Sequence, residues 1–93
     1  MSAYFVARFA IKDPTLLAAY SSKAAPVIKS FGGALLFKGG ADQILTGESS
    51  FPGIAVFQFP DQNKLDAFYT SDAYQALKSA REAGAEMVLS AHT

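Results

Sequence analysis

One pattern is written twice along this chain, and it restricts the fold more than any other feature. A strand-like apolar run meets an Asp-Pro or Pro-Asp pair and opens a helix carrying a late tyrosine. The first copy runs from Tyr4 through Ile11 to Asp13-Pro14 and on to Tyr20; the second runs from Ile54 through Phe59 to Pro60-Asp61 and on to Tyr69. Each unit is followed by a further strand. The order βαββαβ is that of a split βαβ domain, in which a helical layer covers one face of a four-stranded antiparallel sheet.

The local signals set the boundaries. Residues 3 to 11 alternate, with Phe5, Ala7, Phe9 and Ile11 on one face and Tyr4, Val6 and Arg8 on the other. Asp13 is placed to cap a helix and Pro14 fits its first turn. Leu16, Leu17, Tyr20, Val27, Ile28 and Phe31 recur at helical spacing, Pro26 is expected to kink or restart the helix, and Gly32-Gly33 to end it. Ala34 to Lys38 reads as the second strand, closed by Gly39-Gly40. In residues 41 to 53, Ile44 and Leu45 read as buried amid loop chemistry. Ile54 to Phe59 is the third strand. Asp61 caps a helix with Leu65, Phe68 and Tyr69 inward. Ser71-Asp72 opens a last helical segment carrying Tyr74, Leu77, Ala80 and Arg81, Gly84 breaks it, and Met87 to Ala91 form the fourth strand.

The chain has 93 residues, which makes residues 1–93 a single domain. Its eight basic and eight acidic residues cancel without clustering, so nothing favours nucleic acid as a partner. No apolar run approaches the roughly 18 residues that span a bilayer. The start, from Met1 to Tyr4, lacks a basic signal-peptide region, and a cytoplasmic location is expected. With no cysteine there is no disulfide or thiolate metal site. The carboxylates (Asp13, Asp42, Glu48, Asp61, Asp66, Asp72, Glu82, Glu86) lack metal-ligand spacing. No metal and no cofactor are expected.

Only 17% of residues are charged, against about 25% in an average globular protein. Part of the surface is therefore expected to be hidden against another chain. The strand faces agree. Phe5, Ala7 and Phe9 match Ala55, Phe57 and Phe59 as the seat of the helices, but the opposite face (Tyr4, Val6, Arg8 with Ile54, Val56, Gln58) is also too apolar to be wet. Two such sheets closing face to face give a homodimeric α+β barrel with an interior cavity. In a 4-1-3-2 strand order, taken with first and third strands as parallel neighbours, Arg8 and Gln58 lie together near one end of that cavity.

The run Ser71-Asp72-Ala73-Tyr74-Gln75-Ala76-Leu77-Lys78, with Arg81 beyond it, resembles the signature of the domain-of-unknown-function family numbered 1330. Asp13-Pro14 with Tyr20, Gly32-Gly33, Lys38-Gly39-Gly40, and Phe59-Pro60 followed by Ala67-Phe68-Tyr69 extend the resemblance over essentially the whole chain. It implies a ferredoxin-like dimeric α+β barrel and no established activity. Three positions depart from the family pattern. Thr46 stands where a glutamate usually precedes the loop glycine, Gly53 where an arginine commonly opens the third strand, and Ser49 near the place of a loop tryptophan.

Arg81 is the leading candidate for ligand binding. Its guanidinium could hold a carboxylate in a bidentate fork, or it could pair structurally with Glu82, Glu86 or Asp72. Ser71 and Tyr74 sit in a capping arrangement that needs no ligand, though Tyr74 could turn its hydroxyl toward a pocket. Arg8 and Gln58, with Tyr4, would orient a small acidic or carbonyl compound; Arg8 could equally end its strand in solvent. Lys38-Gly39-Gly40 reads as a strand-ending turn, and the terminal His92 makes a poor general base. Three functions follow: binding of a small hydrophobic or carboxylated molecule in the barrel cavity, a cofactor-independent monooxygenase- or isomerase-like enzyme, or dimerisation alone. Glu48 is the sole plausible proton acceptor, so binding is the favoured expectation.

Overall fold

Both aspartates that follow a strand cap helices. In the computed structural model, which describes residues 2–40 and 43–93, the Asp13 carboxylate accepts hydrogen bonds from the Thr15 and Leu16 amides at 3.0 and 3.1 Å. These are amides that a helix's first turn leaves without intrahelical partners. With Pro14 at the first helical position they start helix α1 (Pro14–Ser30), which follows strand β1 (Ala3–Ile11). Strands β2 (Ala34–Gly40) and β3 (Gly53–Phe59) come next. Asp61 then caps helix α2 (Gln62–Thr70), accepting from the Lys64 amide at 2.8 Å. A turn of helix α3 (Asp72–Gln75), helix α4 (Lys78–Gly84) and strand β4 (Ala85–His92) complete the βαββαβ order.

The sheet runs β2-β3-β1-β4 with every neighbouring pair antiparallel. This is the 4-1-3-2 order, but β1 and β3 are not parallel as expected. The crossover through α1 makes β2 parallel to β1, and the strand hairpinned back from β2 must oppose both. Tyr4 therefore faces Gln58, while Arg8 faces Ile54. Arg8 and Gln58 lie four residues apart along the ladder, about 13 Å at the usual rise per residue. They do not form one site.

Other expectations are corrected locally. The helix neither stops nor restarts at Pro26, which is exposed on the outer side of α1. β2 continues through Gly39 and Gly40, which pair with Ile54 and Gly53, and β4 extends to Ala85 and His92. Ile44 and Leu45 are 48% and 86% exposed, since no described residue covers them. Tyr69 is also exposed, at the edge of α2 rather than on its inner stripe. The segment after Ser71 divides into α3 and α4 at Ala76-Leu77. Met1, Ala41 and Asp42 lie outside the described residues, and with them the reading of Asp42 as a carboxylate without metal-site spacing. Among the described residues, no helix is long and apolar enough to cross a membrane.

The core is aromatic and lopsided. Phe68, fully buried on α2, packs its ring 5.2 Å from Phe5 edge-on, 5.3 Å from Phe59 and 4.5 Å from Tyr74. Such contacts add to the stabilisation that area burial alone provides. They fill the Ala3/Phe59 end of the sheet, beneath α2.

α1 is held from the other side, where its principal neighbours are α4 and α3. The Gly84 carbonyl accepts from the Lys12 and Asp13 amides at 2.9 and 3.1 Å, tying the start of α1 to the end of α4. A Cβ at Gly84 would stand 2.7 Å from the backbone of Leu17, closer than packed atoms allow. Gly84→Ala should therefore push the two helices apart and cost about 1–3 kcal/mol, the range for overpacking. Urea denaturation would show this as a lower midpoint; an unchanged midpoint would mean that α1 is not held by this contact.

Candidate functional site

The end of the sheet left unfilled is a cavity of about 660 Å³ between α1 and the strands. Its floor is Phe5, Ala7 and Phe9 of β1 with Ala55 and Phe57 of β3, and its roof is Leu17, Tyr20, Ser21 and Ala25 of α1. The hollow follows from side-chain size. Ala7 pairs with Ala55 across the ladder, Gly53 lies opposite Phe9, and Ser21 and Ala25 stand one helical turn apart above them. Lys38 and the backbone of Gly39 and Gly40 border it on β2. Among the described residues none of its lining side chains is a carboxylate or an imidazole.

One polar assembly borders the cavity through Tyr20. Tyr20 lines it, and its hydroxyl lies 2.7 Å from the Tyr74 hydroxyl. The Arg81 guanidinium donates to the same Tyr74 oxygen at 3.1 Å and stands 5.8 Å from the centre of its ring. Tyr20 and Tyr74 are both buried, and among the described residues Tyr74 is the hydrogen-bond partner of the Tyr20 hydroxyl. Burial, the largest cause, and then the charge coupling to Tyr74 hold the Tyr20 phenol well above its ordinary range. Burial opposes the Arg81 charge. The hydrogen bond to Tyr74, with the nearby Tyr20 and Tyr69 phenols, outweighs that and raises its pKa.

The six residues singled out in the sequence fall into two groups. Arg81 and Tyr74 meet as above, and Ser71 lies next to them as a helix cap. Its hydroxyl accepts from the Tyr74 amide at 3.2 Å and donates to the Phe68 carbonyl at 2.6 Å. Tyr4, Arg8 and Gln58 lie on the opposite, helix-free face of the sheet. There Gln58 donates to the Ser2 hydroxyl at 2.8 Å, and Arg8 is exposed between Ile54 and Val88. None of the six lines the cavity between α1 and the sheet. Glu48 is exposed in the loop before β3, and the His92 ring lies 2.8 Å from the Ser90 hydroxyl.

Sequence reading missed Tyr20 as more than a core residue and Lys38 as more than a turn. The available signal was the pair of small residues, Ala7 and Ala55, in the middle of two otherwise bulky stripes. The Tyr20–Tyr74 bond had no local signal, since its partners are 54 residues apart.

A ferredoxin-like α+β sheet with a hollow under its first helix and a second, uncovered face defines the class of this protein. A family profile matches residues 2–91, and the chain belongs to that family, DUF1330, a domain of unknown function. No curated protein sequence matches it. Its fold is similar to that of RPA0582, a protein of unknown function from Rhodopseudomonas palustris, at TM-score 0.81 and 14% identity over 97% of this chain and 79% of that one. It is also similar to SnoaB, a cofactor-independent oxygenase from Streptomyces nogalater, at TM-score 0.72 and 12% identity over 99% and 91% of the two chains. A dimeric ferredoxin-like protein of unknown function from Jannaschia sp. CCS1 aligns at TM-score 0.69 and 12% identity over 100% and 99%. At these identities the likeness is one of fold.

The glycine at position 53 is fitted to its cross-strand neighbour. A Cβ there would overlap the Phe9 ring. An arginine in that place would displace Phe9 from the cavity wall, so this glycine and the shape of the hollow go together.

The Tyr20 pKa makes a stability prediction with a definite sign. A phenol whose folded pKa is raised contributes stability that is fully present below its unfolded value, near 10, and is lost as pH climbs toward the folded value. Urea midpoints measured at pH 9 and pH 11 should fall more steeply for the wild type than for Tyr20→Phe. Equal losses would mean that Tyr20 ionises normally.

Proposed function

We propose that this protein binds a small hydrophobic molecule in the cavity between α1 and the sheet, and that it does so as a homodimer joined through the opposite sheet face. The carrying observation is the cavity itself. About 660 Å³ of mainly apolar, partly aromatic space lies within the range of small-molecule sites. Lys38 at its border favours a carboxylate or similar anion on the ligand. Binding is favoured over catalysis because the described lining offers no carboxylate or imidazole to take a proton.

Homodimerisation is supported by the uncovered face. Phe37 and Val88 are 54% and 50% exposed there, on a surface shared with Val6, Ile54 and Val56. Apolar faces of this kind in small domains mark interfaces. The low charge content points the same way, and so does the dimeric Jannaschia protein of the same fold. A cytoplasmic location remains part of this proposal.

Two measurements test the two halves separately. Gently ionised native mass spectra of fresh protein should show a dimer, and Val56→Lys should shift it to monomer while circular dichroism stays folded. A wild-type monomer at micromolar concentration would end the dimer proposal. For the cavity, the anionic dye 1-anilinonaphthalene-8-sulfonate should bind the wild type with enhanced fluorescence. Ala55→Trp should weaken it at least about tenfold, a loss of roughly 1.4 kcal/mol, without loss of a cooperative melt. Undiminished dye binding by Ala55→Trp would place the dye elsewhere.

A further inference from the structure

The Arg81–Tyr74–Tyr20 assembly leaves one hydroxyl proton without a partner inside it. Arg81 donates to the Tyr74 oxygen, and the two phenols contribute one O–H each. Only one of those O–H groups can be used in the contact between them. If Tyr20 donated to Tyr74, the Tyr74 oxygen would accept two bonds and its own proton would point into aromatic packing. Tyr74 is 1% exposed and lies against Phe68, Phe5 and Tyr69, whose rings offer no good acceptor. The satisfied arrangement runs from Arg81 to Tyr74 to Tyr20. It leaves the free O–H on Tyr20, and among the described residues no other partner meets that hydroxyl.

Tyr20 is also the member of the three that lines the cavity. We propose that Tyr20 donates a hydrogen bond to an oxygen acceptor of the cavity ligand, with Tyr74 and Arg81 as positioning residues behind it. This rests on the cavity reading above and narrows it: the ligand is an apolar ring compound carrying a carbonyl-type oxygen, not a plain hydrocarbon. A cation at the far end of the chain polarises each O–H in turn toward the ligand, which strengthens the bond to an electron-rich oxygen. Elsewhere the walls are largely Phe and aliphatic side chains, with Ser21 and Lys38 as the other side-chain donors, so a few polar groups fix which way round the ligand sits.

Two probes of one skeleton separate the claims. Tetralin and 1-tetralone differ by one carbonyl oxygen, and the chain has no thiol to react with either. Their dissociation constants are measured by NMR titration on wild-type protein and on Tyr20→Phe. The ratio of tetralin to tetralone constants should be about fivefold to tenfold higher in the wild type than in Tyr20→Phe, the value of one net hydrogen bond. Tetralin should bind both proteins alike. An equal ratio in the two proteins would overturn the donor assignment while leaving the cavity in place. Failure of both probes to perturb cavity residues of the wild type would overturn the cavity reading itself. Should Tyr20→Phe not fold, wild-type protein labelled with 13C at tyrosine Cζ supplies the readout. Tetralone, and not tetralin, should shift one of the buried tyrosine signals, and no difference between the probes would again overturn the assignment.

Discussion

The contact between Gly84 and the start of α1 governs the shape of this domain. A backbone carbonyl at the end of α4 takes two amides from the β1–α1 turn, and the missing side chain lets the helices touch. α1 is thereby anchored to α4 and not lowered onto the middle of the sheet. α2 instead comes down on β1 and β3 and brings Phe68 into the aromatic core. One end of the sheet is consequently packed solid and the other is roofed at a distance. Filling that gap would need large residues at Ala7, Ala55, Ser21 or Ala25, and the chain has none there.

The boundary between the two ends is polar where it most needs to be rigid. A buried phenol without a partner costs on the order of 1–3 kcal/mol. Tyr20 and Tyr74 avoid that cost jointly and fix α1 to α3 across the core. Arg81 adds a charge at the partly open end of the pair. The charge stays near water while its influence passes inward through two hydroxyls. The same bonds that steady α1 hold a polar side chain beside the cavity, so under the proposal above structure and recognition would use one set of atoms.

Much of the architecture was legible in the sequence because its signals are local. Asp13, Asp61 and Ser71 each cap a helix from within three residues, and the alternation of β1 and β3 marks the helix-facing stripe. The dependence on long-range geometry is what was lost. Strand direction depends on the whole connection, and treating β1 and β3 as parallel wrongly put Arg8 beside Gln58. Tyr74 and Arg81 were each singled out, but their contact joins two helical segments, α3 and α4, that the sequence reads as one. Their link to Tyr20 spans most of the chain and leaves no periodic trace. Apolar residues on a strand's second face signal cover by a second sheet, and the hollow within one protomer is a separate feature. Small residues inside a bulky stripe are the sign of a hollow, and they occur on the helix side.

Strand alternation couples these two faces. On β1, Phe5, Ala7 and Phe9 look into the cavity while Tyr4, Val6 and Arg8 look out, and β3 repeats this with Ala55 and Phe57 against Ile54, Val56 and Gln58. A four-stranded sheet with one face over a hollow has fewer packing contacts than one buried on both sides, and the floor would be free to flex. A second sheet pressed on the outer face would restore that support from behind. Dimerisation would then set the rigidity of each cavity without contributing a residue to it. The two cavities would lie on the outer sides of the barrel, one under each α1, and not in the space the two sheets enclose.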